Sequence, residues 1–216
     1  PSDATGIYRG RQAGTSYTPP APLEWGPTYA WRIDEVQANG TVSKGRIWTF
    51  TVADYLIVED FESYDDQCNR IFFAWLGGAG DSGSQDPACP RPPYAGNGTG
   101  SAVGNYNPPF AEPILIHSGR QSMPLSYDNT AGATVSEATR TWDVAQDWTW
   151  GEVKALVLYV RGDAANGAGQ LYLKVNNTQV LLEGSEEALI RPLWRQWNID
   201  LASLPGLQAV QSLTLG

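Results

Sequence analysis

Histidine and methionine each occur once in this chain, and cysteine only twice. The lone His117 sits at the end of a short apolar run beside a turn, and no Gly-x-Ser-x-Gly elbow is present. Ser-His-Asp chemistry therefore has little to work with, and a structural His is the simpler reading. Cys68 and Cys89 show neither a Cys-x-x-Cys spacing nor histidine partners, which disfavours zinc. No run of about 18 apolar residues exists, so no helix spans a membrane. Lys and Arg total 14 against 23 Asp and Glu, giving a formal charge of -9. A nucleic-acid binder needs clustered cations to displace counterions, and this balance argues against one. No secretory leader is visible ahead of Pro1-Ser2-Asp3, which is the expected look of a piece of a longer precursor.

What is abundant points to strands and turns. Nine Trp and ten Tyr stand beside 23 Gly and 15 Pro in 216 residues, a mixture that suits many short strands and few helices. At 42% hydrophobic the chain can bury a core. Cys68 and Cys89 flank a stretch rich in Gly, Pro, Asn and Ser. The expectation is a disulfide in an oxidising compartment, the alternative two unrelated thiols. Residues 77–112 look like a long irregular loop.

In the first part, Tyr29, Trp31 and Ile33 alternate with Ala30, Arg32 and Asp34, and Trp48, Phe50 and Val52 alternate again. Asn39-Gly40 between them predicts a hairpin with one apolar face. Two strands with such a face need a cover. Further on, strands are expected at ILIH, SMPLSYDN, TVSEATRTWDV, VKALVLYVRGD, GQLYLKVNN, TQVLLEG, LWRQWNIDLA and VQSLTLG. Their alternation assigns Leu156, Leu158, Val160, Leu171, Leu173, Val175, Trp197, Ile199 and Leu201 to the core. It turns Tyr159, Arg161, Tyr172 and Lys174 outward on what the order of strands takes to be neighbours. Aromatic faces cover the C–H patches of sugar rings, and cations and carboxamides bind hydroxyls. These four residues with Arg140 and Asp128 are the candidate sugar contacts, against the alternative of an ordinary solvated sheet face. Trp142, Trp148 and Trp150 are secondary candidates, at a loop rim or in the core.

Six acids crowd residues 53–68 around the apolar run Tyr55 to Val58, which resembles the start of a strand. Three readings compete: paired catalytic acids, a calcium site, or a solvated domain boundary. Glycoside hydrolysis requires two carboxylates across a cleft. Glu62, Asp128, Glu137 and Asp200 are available, but none sits in a distinctive motif, so the chain is read as non-catalytic. Calcium requires several oxygens, which Glu62 and the backbone of the turn at Ser118 to Gln121 would supply.

Two resemblances sharpen the picture. The Tyr-x-Trp-x-Ile strand, its turn and the Trp-x-Phe-x-Val strand resemble the last two strands of a fibronectin type III domain, over about residues 5–54. The motifs EDFESY, SGRQSMPLSYDN, DWTWGEVKALVLYVRGD and WRQWNIDLA look like a jelly-roll carbohydrate-binding-module-like domain over residues 55–216. Such domains recur in secreted multimodular bacterial proteins. That resemblance implies a structural Ca2+ held by Glu62 after Phe61 and by the turn Gly119 to Ser122, which places Arg120 and Ser122 among the metal-site residues. Members of the family continue past the position of Leu215-Gly216 through one more strand that carries an acidic ligand. Its absence here implies an open sheet edge and self-association by strand addition.

The expectation is an all-β chain. A partial fibronectin-III-like sandwich remnant covers residues 1–54 and a jelly-roll sandwich residues 55–216. The expected activity is non-catalytic binding of a polysaccharide or cell-surface glycan, outside the cell or on its surface. A structural or adhesive brick is the alternative, and an accessory part of a glycoside-active enzyme a third reading.

Overall fold

The structure, a computed structural model, describes residues 7–130 and 132–216. The fold is all-β, with antiparallel sheets and two short helices. No helix among the described residues is long and apolar enough to cross a membrane. The chain divides into two compact units, residues 1–56 and 57–216.

In the first unit, β1 (Thr28–Arg32) pairs with β4 (Ile47–Thr51), and β2 (Glu35–Val36) pairs with β3 (Val42–Ser43). The turn forms where Asn39-Gly40 predicts it. Gly40 takes φ +86, and the Asn39 side chain accepts the Thr41 N–H. Register places Tyr29 opposite Phe50 and Trp31 opposite Trp48. Both pairs stack, with centroids 5.8 and 6.3 Å apart. Trp31 and Trp48 nevertheless keep about half their surface exposed.

The second unit holds one core between two sheets. The larger sheet runs β11 (Thr178–Leu181), β10 (Tyr172–Val175), β13 (Val210–Leu215), β8 (Ala138–Gln146), β5 (Trp75–Leu76). The smaller pairs β9 (Ala155–Arg161) with β12 (Trp194–Asp200). Trp75, Ala138, Leu173, Val175 and Leu213 from the first meet Leu156, Trp197 and Ile199 from the second in one apolar cluster. Full burial of a Leu, Val or Ile side chain stabilises by about 1.5–3 kcal/mol. The predicted core positions on β9, β10 and β12 all belong to this cluster or pack against it. A third pair, β6 (Ser101–Val103) and β7 (Leu125–Tyr127), forms a separate two-stranded sheet that packs Val103 and Leu125 onto the same core. Helix α1 (Ile71–Ala74) precedes β5, and α2 (Ser185–Ile190) lies between β11 and β12.

Several expectations are corrected. Residues 55–61 form no strand, because acidic side chains there serve as turn acceptors. Glu59 Oε1 accepts the Phe61 N–H at 2.8 Å and Asp60 accepts that of Glu62 at 3.0 Å, while Phe61 takes φ +63. Asp65 caps Gln67 and Asn69 in the same manner, and Asp66 accepts the Phe110 N–H. Ile114 to His117 is also no strand, since Glu112 caps the N–H groups of Ile114 and Leu115 and leaves Ile114 exposed. The segment 77–112 is less irregular than expected. Bridges join Asp81 to Tyr94 and Ser84 to Arg91, and β6 lies within it. Its glycines allow close backbone approach: a Cβ on Gly78 would lie 1.7 Å from the Thr99 carbonyl oxygen. The Cys68–Cys89 disulfide forms and ties this ribbon to the segment before α1. Finally, β13 is a central strand, and the edges of the larger sheet are β11 and β5.

Candidate functional site

The four outward residues that strand order places together divide between two sheets. β9 pairs with β12, whereas β10 pairs with β11 and β13. Both sheets point their apolar faces into the same core, so Tyr159 and Arg161 face away from it on one side, Tyr172 and Lys174 on the other.

On the larger sheet the polar groups satisfy one another. The Tyr172 hydroxyl donates to Glu137 Oε1 at 2.6 Å and Lys174 Nζ to the same oxygen at 2.5 Å. Burial and the adjacent carboxylate raise the Tyr172 pKa. Burial opposes ionisation of Glu137, yet the bonds from Lys174 and Tyr172 hold its carboxyl below the usual range. The Glu137 main chain is fixed as well. Its carbonyl accepts from Asn97, Thr99 and Ser101, and its N–H donates to Thr99 Oγ1. Tyr172 and Lys174 are thereby committed to holding the segment that leads into β8 against β10.

Arg140 is opposite Leu213 and Trp75 in register, so it points toward the core side of β8. There it forms an ion pair with Glu59, whose side chain is 8% exposed. Glu59 Oε2 also accepts from the Tyr64 hydroxyl at 2.7 Å and from Trp75 Nε1 at 3.3 Å. Desolvation pushes the Tyr64 hydroxyl up to about 12. Asp128 is exposed and caps its own turn, accepting from the Thr130 hydroxyl and N–H, which lower its pKa. Trp142 and Trp148 meet edge to face at the core, and Trp148 is buried. Trp150 is exposed in a helical turn before β9.

At Glu62 the chain reaches the turn Gly119 to Ser122, as expected, but with different chemistry. The carboxylate accepts the N–H of Arg120 at 2.8 Å and of Gln121 at 3.3 Å, and pairs with the Arg120 guanidinium at 3.1 Å. The Arg120 N–H is the largest cause of its lowered pKa. Gly119 is required there: it has φ +72, and a Cβ on it would lie 2.2 Å from Glu62 Oε1. Ser122 Oγ turns away to the Leu115 carbonyl. A calcium ion seeks six to eight oxygens. Glu62 is instead surrounded by N–H donors and a guanidinium, and these residues do not fit a dication.

The smaller sheet carries the open chemistry. Register sets Trp194 against Arg161, Gln196 against Tyr159 and Asn198 against Val157. Trp197 and Ile199 of β12 point inward, so Trp194, Gln196 and Asn198 point out beside Tyr159 and Arg161. The His117 ring stacks on Tyr159 with centroids 3.6 Å apart and planes 17° apart, and meets Trp194 edge-on at 5.7 Å. The Tyr159 hydroxyl donates to Gln196 Oε1 at 3.2 Å, and Gln196 Nε2 donates to Asn198 at 2.7 Å. The result is an aromatic cluster of three rings, Tyr159 and His117 exposed and Trp194 half-buried, followed along the strand by two carboxamides and flanked by a guanidinium. None of Trp194, Gln196, Asn198 and His117 is among the sugar contacts expected from the sequence, where His117 is read as structural. The outward parity of Gln196 and Asn198 was visible there, but the β9–β12 pairing that sets them beside Tyr159 was not.

No protein-family model, curated protein or solved structure matches this chain.

Proposed function

We propose that the second unit is a non-catalytic polysaccharide-binding module whose ligand lies along the outward face of β9 and β12. The observation that carries the reading is the Tyr159–His117–Trp194 cluster, continuous with Gln196 and Asn198. A pyranose offers flat C–H faces and a rim of hydroxyls, and this surface offers aromatic planes and carboxamides at neighbouring positions. The His117 stack fixes the Tyr159 ring before any ligand arrives, which reduces the ordering cost of binding. Carboxylates weighed as catalytic acids hold structure: Glu62 fixes a turn, Asp128 and Asp200 cap turns, and Glu137 pairs with Lys174. The jelly-roll resemblance and the disulfide support placement outside the cell or on its surface.

The test is a pull-down of the full chain with a panel of insoluble polysaccharides, backed by a glycan array. Retention by one polysaccharide class is expected. Tyr159→Ala and Trp194→Ala should each weaken it by about 1–3 kcal/mol, by analogy with other aromatic stacking platforms. Retention equal to wild type in both variants, or none on any glycan, rejects the reading.

The exposed stacked pair Trp31–Trp48 of the first unit, with the exposed Phe50 beside it on half-buried Tyr29, favours a second role, in protein assembly. Sedimentation of the chain at rising concentration tests it: self-association supports the adhesive reading, and a monomer throughout opposes it.

A further inference from the structure

We infer that the sugar bound on the β9–β12 face carries a carboxylate, with a uronic acid unit seated at Arg161; the inference rests on the polysaccharide reading above. Acids outnumber cations by 23 to 14 in this chain, and five ion pairs form among the described residues; what distinguishes Arg161 from the other cations outside those pairs is its place on the β9–β12 face, opposite Trp194. Arg32 pairs with Asp34, Arg120 with Glu62, Arg140 with Glu59, Lys174 with Glu137 and Arg191 with Glu187. Arg161 has no carboxylate partner among the described residues. Its Nη1 donates to the adjacent Gly162 carbonyl over a long 3.4 Å.

This guanidinium is only partly buried, at the end of β9, opposite Trp194 and two residues from Tyr159 on the same face. An Arg fork binds a carboxylate through two parallel N–H bonds, a geometry a hydroxyl cannot match. The acid on this face, Asp200, is at the opposite end, across from Ala155, and its carboxylate accepts the Ala202 N–H. The face is thus polarised along the strand. A sugar chain lying along it meets a cation beside the aromatic cluster, then the Gln196 and Asn198 carboxamides. The overall negative charge does not oppose this at physiological salt, where charges beyond about 8 Å are screened.

The experiment uses the full chain at about 0.15 M salt. Polygalacturonate, alginate and a glucuronan are each compared with their carboxyl-reduced counterparts by affinity electrophoresis. At least one acidic polymer should bind about tenfold or more tighter than its reduced form, the scale of a hydrogen bond to a charged group. Arg161→Gln should abolish that preference. Changing the ligand tests the claim without touching the protein, and thermal midpoints verify that the variant folds. Equal binding of the acidic and reduced forms for every polymer that is retained overturns the inference and leaves the polysaccharide reading standing. So does a preference that survives Arg161→Gln. Failure of every acidic, reduced and neutral polymer to bind overturns both.

Discussion

Removing Arg140 should destabilise the second unit by about 3 kcal/mol, while removing both members of its ion pair should cost far less. Breaking a buried pair from one side costs about 3–5 kcal/mol, because a charge is left unpaired in a poorly solvated place. The Glu59 side chain is 8% exposed and that of Arg140 25%. Arg140→Ala leaves Glu59 with three neutral donors, Tyr64 Oη, Trp75 Nε1 and the Phe61 N–H. Those bonds offset part of the penalty and set the expectation at the lower end of that range. Glu59→Gln leaves a guanidinium that still reaches water and the Tyr64 hydroxyl at 3.0 Å, so about 1–2 kcal/mol is expected. The double variant Glu59→Gln with Arg140→Met removes both charges yet keeps a carbonyl acceptor for Tyr64 Oη and Trp75 Nε1, and should fall within about 1 kcal/mol of wild type. Urea unfolding followed by far-UV circular dichroism, with the disulfide intact, measures all three. A loss below about 1 kcal/mol for Arg140→Ala, or a double variant as unstable as the single one, would refute the argument.

Other outcomes follow from the same contacts. The Glu137 carboxyl has a lowered folded pKa, so the stability it contributes is complete above its unfolded value near 4.3 and is lost as pH falls through the folded one. Lys174→Met should flatten the acid limb of a thermal-midpoint profile below about pH 5, and an unchanged limb would contradict this. Because Glu62 is satisfied by Arg120 and the turn N–H groups, chelator should leave the thermal midpoint unmoved. Gly119→Ala should destabilise by about 1 kcal/mol or more, and both claims fail if chelator lowers the midpoint or the alanine is neutral. Reducing Cys68–Cys89, which closes a loop over a separation of 21 residues, should cost about 3 kcal/mol in urea unfolding; no change would contradict it.

Periodicity made the core legible and long-range pairing did not. Leu173, Val175, Trp197 and Ile199 were assigned inward from alternation alone, because a strand with one buried face must repeat every second residue. Turn chemistry was legible where it is local, as at Asn39-Gly40. The same chemistry was missed at Glu59 and Asp60, where the apolar residues around them imitate a strand. The site suffered most from the missing pairing. Strand order put β9 beside β10, yet β9 pairs with β12, across an intervening hairpin and helix. Two residue identities, Tyr159 and Arg161, stayed in the site, while Tyr172 left it for Glu137. His117 was set aside as a residue near a turn; nothing in its neighbours along the chain announces the ring of Tyr159, which lies 42 positions away.

The central claim is that ligand meets the β9–β12 face and not the β10 face. An NMR titration of the full 23.5 kDa chain with an oligosaccharide from the retained polysaccharide class tests it directly. The account predicts shifts at the Trp194 indole N–H, the His117 ring and the Tyr159 ring, with Tyr172 and Lys174 unmoved. Shifts confined to Tyr172, Lys174 and Glu137 would contradict it.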